Sequence, residues 1–217
     1  QEVYVLYIQE NNIKVIQTYT FRNLKLSHID LSRNGIQFVE NLAFANLSNL
    51  QQLTLEENKL TTLNPKAYEN LPTLEDLLLM KNYITQLGPS SLDFVKKKGF
   101  MLSISNNRIA NIDEDAFGGS NATNVYLFLE NNLLQQISVN IFQNRSFVEV
   151  RLTGNKIRTL TGNLEEQNFK IHVLKIENTF DKKSLESLLN WTMQNDITLV
   201  CETCVSTNIK NLGQPVH

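Results

Sequence analysis

The apolar residues of this chain fall into short alternating runs that return every 23 to 25 residues. In the clearest copy Leu50, Leu53 and Leu55 precede Asn58, and Leu60, Leu63, Tyr68 and Leu71 follow it. Its neighbours read Leu26, Ile29, Leu31, Asn34, Ile36, Val39, Phe44, Leu47, and Leu74, Leu77, Leu79, Asn82, Ile84, Leu87, Leu92. Aligned on the asparagine two residues before an aliphatic, the anchors are Asn11, Asn34, Asn58, Asn82, Asn107, Asn132 and Asn155, spaced by 23, 24, 24, 25, 25 and 23 residues. An eighth unit, Ile171, Leu174 and Ile176, has Thr179 at the anchor position and reads as terminal.

Alternation over so few residues predicts a short strand with one face inward. At the turn that leaves the strand, an asparagine side chain can satisfy backbone groups and build a ladder through the stack. The column Phe21, Phe44, Tyr68, Phe117 and Phe142, with Leu92 standing in once, fills the interior behind the strands. One unit alone leaves its apolar side wet, so stability comes from stacking on neighbours. Past the last unit, Asp181 is placed to cap a helix over Lys182 to Gln194. Its stripe of Leu185, Leu188, Leu189 and Met193 is predicted to cover the last repeat.

The pattern L-x-x-L-x-L-x-x-N-x-L over about residues 3 to 179 resembles the leucine-rich repeat. Unit length and aromatic column are similar to the extracellular animal class, including Toll-like receptor ectodomains. The resemblance implies an α/β solenoid: a leucine-rich repeat horseshoe with a concave parallel β-sheet of eight strands, a loop-rich convex side and a C-terminal helical cap. Residues 1–179 would be repeats and 180–217 the cap. The segment Asn178 to Leu185, followed by Leu188, Leu189 and Trp191, is similar to the caps of insect leucine-rich immune proteins. Those carry a cysteine where Lys182 stands, so Cys201 and Cys204 are left to another arrangement. What the family resemblance implies is an extracellular protein-recognition module, secreted or on the outer cell face, binding through its concave side in an innate-immune or receptor setting. The alternative is a structural or adhesive cell-surface ectodomain. The chain enters a strand at once through Val3, Val5, Leu6 and Ile8 with no cysteine-rich lead, as expected of a fragment or processed form.

Charge narrows the partners. Lys plus Arg number 20 against 22 Asp plus Glu, a net −2 with the signs interspersed, so neither nucleic acid nor a membrane surface is expected to bind. No apolar run reaches the roughly 18 residues of a membrane span. No catalytic, metal or cofactor constellation is expected. His28 and His172 belong to the second and eighth strands, about 29 Å apart at ~4.8 Å per strand. Asp113-Glu114-Asp115 lacks the glycine and distal glutamate of a calcium loop and reads as a solvated turn. Cys201-Glu202-Thr203-Cys204 admits three readings: a zinc half-site without the other ligands, a redox pair following a strand instead of opening a helix, and a structural disulfide, the blandest. Sequons stand at Asn46, Asn121, Asn144 and Asn190, about as many as 28 Asn and 29 Ser plus Thr give by chance; their positions off the strands permit glycans.

Between the core leucines, the mid-strand residues should point out of the concave sheet: Tyr7, Asp30, Thr54, Leu78, Ser103, Phe128, Arg151 and Lys175. Most are polar, but Leu78 and Met80, Phe100 and Met101, and Val125, Tyr126 and Phe128 cluster on three adjacent strands. A contiguous patch with aromatics and methionines points to an interface, with a protein ligand or with a second copy. Alternatively, chain near Lys96 to Gly99 folds over it, or a one-residue register slip buries these side chains. Arg33, Glu57 and Lys81 form an alternating-charge row beside it that is expected to stabilise neighbouring strands.

Overall fold

The computed structural model describes residues 4–165, 168–177, 180 and 182–201. In chain order the elements are β1 (Val5–Tyr7), β2 (Val15–Ile16), β3 (His28–Asp30), β4 (Phe38–Val39), β5 (Gln52–Thr54), β6 (Asp76–Leu78), β7 (Gln86–Leu87), β8 (Met101–Ser103), β9 (Asn111–Ile112), β10 (Val125–Phe128), β11 (Gln136–Ser138), β12 (Ser146–Arg151), β13 (Thr159–Thr161), β14 (Lys170–Lys175), α1 (Lys182–Gln194) and β15 (Thr198–Val200). Nine of the strands form one sheet in the order β1-β3-β5-β6-β8-β10-β12-β14-β15, every pair parallel. The inward residue pairs in register with its neighbour in each repeat: Leu6 with Ile29, Ile29 with Leu53, Leu53 with Leu77, Leu77 with Leu102 and Leu102 with Leu127. Among the described residues the opposite side holds 3-10 turns at Pro65–Ala67 and Val139–Phe142, the two-residue to three-residue pairs β2–β4, β7–β9 and β11–β13, and, in the last repeat, helix α1. This is the leucine-rich repeat horseshoe with its loop-rich convex side.

The asparagine ladder is continuous from Asn34 to Asn155. Asn82 is typical: its Nδ2 donates to the carbonyls of Leu55 (2.9 Å) and Leu79 (3.1 Å), and its Oδ1 accepts from Leu60 N (3.0 Å). Asn34, Asn58, Asn107, Asn132 and Asn155 repeat this pattern, each joining its own unit to the one before. Asn11 does not join it. It has no earlier strand among the described residues to reach, lies exposed, and donates only to Gln9 O.

The residue before each anchor takes the left-handed region: Glu10, Arg33, Glu57, Lys81, Asn106, Asn131 and Gly154 hold φ between 51° and 72°. That turn aims consecutive side chains along the stack. Arg33 reaches Glu10 at 2.9 Å and Glu57 at 3.4 Å, Lys81 reaches Glu57 at 2.9 Å, and Asn131 Nδ2 donates to Asn106 Oδ1 at 3.2 Å. The expected charge row is therefore present, extended by Glu10. Gly154 closes the row because a Cβ there would run into Asn131 Oδ1.

Behind the sheet the aromatic column stacks as a spine. Phe21 and Phe44 lie 5.4 Å apart with planes 6° apart, and Phe44 and Tyr68 lie 6.1 Å apart. At Leu92 the column lacks a ring, and Phe94 supplies one instead, 5.1 Å from Tyr68 and 6.2 Å from Phe100. A second group, Phe117, Phe142, Phe147, Phe169 and Trp191, packs at 5.4 to 6.4 Å.

Helix α1 has the bounds the sequence predicts, while its buried stripe is turned by a fraction of a turn. Leu185, Leu188, Trp191 and Thr192 are buried, Leu189 is partly so, and Met193 is 69% exposed. The indole of Trp191 takes the packing role expected of Met193, stacking on Phe142 and Phe169. The proposed N-cap, Asp181, lies outside the described residues. Two features differ from the expected cap. Helix α1 occupies the convex segment of a repeat, against β13, and the chain then returns to add β15 beside β14. The sheet consequently has nine strands where the resemblance implies eight.

Candidate functional site

Parallel register decides which of the candidate residues face outward. Tyr126 pairs with Met101 and Phe128 with Ser103, while Leu127 pairs with Leu102 inside. Phe100 and Val125 each stand two residues before those inward leucines, so strand alternation turns them inward as well. They are 1% and 2% exposed and belong to the core. This corrects the sequence reading: in each of these strands the adjacent apolar pair cannot lie on one face, and the slip that buries the earlier member applies to Phe100 and Val125. The outward members Leu78, Met80, Met101, Tyr126 and Phe128 remain, all half-buried among their cross-strand neighbours.

These five are bounded by charge on both sides. Toward β12 and β14, Arg151 lies 4.0 Å over the Phe128 ring, whose edge meets Tyr126 at 6.4 Å. The same arginine pairs with Glu149 (2.9 Å) and approaches Glu130 (3.6 Å), and Lys175 pairs with Glu149 (2.7 Å). Its hydrogen bond to Arg151, and that to Lys175, hold the Glu149 carboxyl below the usual carboxylate range. Toward β3, β5 and β6 stand three carboxylates, Asp30, Glu56 and Asp76, with no ion pair among the described residues. Burial, reinforced by the charges of Asp30 and Glu57, pushes Glu56 up; burial and the neighbouring Glu75 push Asp76 up. Asp30, Arg151 and Lys175 could be read from the mid-strand column. Glu56 and Glu130 stand two residues further on, a position that the same count, extended by one alternation, would have found.

A separate cavity of about 730 Å³ lies on the convex flank, where the aromatic column is interrupted. Its apolar wall is Leu71, Leu74, Phe94 and Phe100, and its rim includes Lys66, Glu69 and Lys96.

The four sequon asparagines, Asn46, Asn121, Asn144 and Asn190, are all exposed. Cys201 directly follows β15, whose register ends at the Lys175–Val200 pair; it is 8% exposed and is not a free thiol. Cys204 lies outside the described residues. His28 sits on β3 and His172 on β14, six steps apart in the sheet.

A parallel sheet lined by an asparagine ladder, with loops behind it, defines a repeat solenoid. Sequence comparison makes the class specific: the family model described as leucine rich repeat matches residues 1–60 and 25–84, and that of the BspA type leucine rich repeat region (6 copies) matches 93–210. The chain belongs to the leucine-rich repeat family. No curated protein matches its sequence. Among solved structures, human 5T4 (Wnt-activated inhibitory factor 1, trophoblast glycoprotein) aligns over 95% of this chain and 86% of its own, at 20% identity and a TM-score of 0.66. TLR13, in its complex with ssRNA13, aligns over 80% of this chain at 22% identity and a TM-score of 0.51; the chain spans 29% of that protein's length. At these identities the likeness is one of fold.

Proposed function

We propose that this chain is an extracellular protein-recognition module that seats its partner on the concave sheet at Leu78, Met80, Met101, Tyr126 and Phe128. The observation that carries the reading is that Leu78, Met101, Tyr126 and Phe128 stand on the adjacent strands β6, β8 and β10, within about 10 Å across the sheet, with Met80 two residues past β6. A soluble face of this kind is otherwise polar, and half-buried methionines and aromatics held by a cation over the ring are what protein interfaces use. Fold likeness to 5T4 and to TLR13, together with four exposed sequons and a bonded Cys201, supports an extracellular setting. An innate-immune role draws its support from the resemblance of the cap segment. Recognition without catalysis is the companion reading, with the Ser27 and Ser105 hydroxyls, bonded to His28 and Glu130, as parts of its hydrogen-bonded surface.

The test is a binding screen against secreted proteins, with hydrogen exchange of each complex. Protection of β6, β8 and β10, lost in the Met101→Ser/Phe128→Ser variant, is expected. Binders that protect only the convex flank around Phe94 would overturn the reading. If self-association is the form recognition takes, sedimentation shows a dimer that the same variant dissolves.

Secretion has its own test. Protein made through a eukaryotic secretory pathway should carry glycans at exposed sequons and, denatured and alkylated without reduction, show no free thiol, as a Cys201–Cys204 bridge requires. Two alkylated cysteines would contradict it.

A further inference from the structure

The concave face is electrically one-sided. On its outward strand positions Arg151 and Lys175 are engaged by Glu149 or Glu130, while His28 on β3 and Lys170 on β14 have no ion pair among the described residues. The opposite end has Asp30, Glu56 and Asp76 on three consecutive strands with no ion pair among the described residues. Near Glu56, Arg33 and Lys81 lie in the edge row and are held by Glu10 and Glu57; near Asp76 stand His28 and Lys97, the latter held by Glu75. The two regions meet on β6, where Asp76 and Leu78 point out of the same strand two residues apart. From there the apolar strip continues through Met101 to Phe128.

We infer that the segment seated on this face is a cationic, apolar stretch of a protein, placing Lys or Arg against Asp30, Glu56 and Asp76 and apolar side chains against Leu78, Met101 and Phe128. This rests on the concave-face reading above and adds the partner's chemistry to it. By register Glu56 stands two residues beyond the partner of Asp30 and Asp76 two residues before it, so the three carboxylates run diagonally over three strands about 8 to 14 Å apart, and cations spaced along a docked segment meet them one by one while the apolar strip excludes water from the contact. A nucleic acid meets the reverse situation: its phosphates would face these carboxylates, and Arg151 and Lys175 are already paired with Glu149.

The experiment measures fluorescence anisotropy of the intact chain with three probes: a labelled peptide alternating Lys and Leu, the same peptide with Glu for Lys, and a single-stranded RNA. The Lys–Leu peptide should bind, the other two should not, and Glu56→Gln/Asp76→Asn should weaken binding by about tenfold or more. The charge-matched variant Glu69→Gln/Glu165→Gln, at exposed positions outside the concave strands, should leave it unchanged. Cooperative melting of each variant at a temperature no lower than that of wild type confirms that folding is intact. If Met101→Ser/Phe128→Ser abolishes binding and Glu56→Gln/Asp76→Asn does not, the cationic partner is refuted and the concave site stands. If neither variant matters, both readings fall. Failure of the Lys–Leu peptide to bind, equal loss in the charge-matched control, or tighter binding of the RNA each overturns the inference.

Discussion

At the scale of single residues, the anchors with identical sequence surroundings are not equivalent. Asn82 is buried and bonds backbone groups of both its own and the preceding repeat, whereas Asn11 is exposed and touches only Gln9. Removing a buried polar partner leaves each orphaned group at a cost of about 1–3 kcal/mol. Asn82→Ala should therefore lower the unfolding free energy by about 3 kcal/mol, and Asn11→Ala by less than about 0.5 kcal/mol, in urea titrations. The ladder was legible because the asparagines recur in register; the exception at Asn11 was not, because a bond to a neighbouring unit is no property of the unit itself. Glu56 and Asp76 give a second residue-scale test. Both are raised above their ordinary values of 4.5 and 3.8, so the folded chain holds protons there more tightly than the unfolded chain. The sign follows: their contribution favours folding below the ordinary values and is lost as pH rises through the raised ones. Glu56→Gln should accordingly raise the melting temperature at pH 7 relative to wild type and have no effect at pH 4; an unchanged difference across that range would contradict it.

Among elements, α1 shows what periodicity delivers and where it stops. Its bounds could be read from the sequence, and so could burial of Leu185 and Leu188. The turn of the stripe toward Trp191 could not, because it is set by Phe142 and Phe169 in other repeats. Truncating a fully buried large side chain costs roughly 2–5 kcal/mol, so Leu188→Ala and Trp191→Ala should both fall in that range. Met193→Ala should change the melting temperature by less than the error of calorimetry. Equal effects at 191 and 193 would mean that the helix sits in the orientation the sequence alone suggested. The inward turn of Phe100 and Val125 has the same origin. Alternation within a strand is legible, but which parity faces in depends on the register with Leu102 and Leu127. Strand β15 escaped the repeat count because, although Leu199 pairs with Leu174, the sequence has Cys201 at the next aliphatic position and Cys204 at the asparagine position.

For the whole molecule, stacking is a one-dimensional arrangement in which each repeat touches only its neighbours. The interruption of the aromatic column at Leu92 then has a mechanical meaning. Rings run from Phe21 through Phe94 to Phe100 and again from Phe117 to Trp191, but among the described residues no ring contact joins the two sets. Hydrogen bonds of Asn107 and Asn132 do cross that boundary. The solenoid is thus two stiff rods spliced by a softer joint, and under load it should part there first. Native-state amide exchange should resolve two cooperative blocks, β1 to β6 and β10 to β14, with separate opening free energies; a single exchange free energy for both would refute the joint. The exposed Lys96 and Lys98 stand just before the break between Phe100 and Phe117, so brief trypsin treatment near the melting temperature should cut there before anywhere else and release one fragment of about 98 residues and one of about 119.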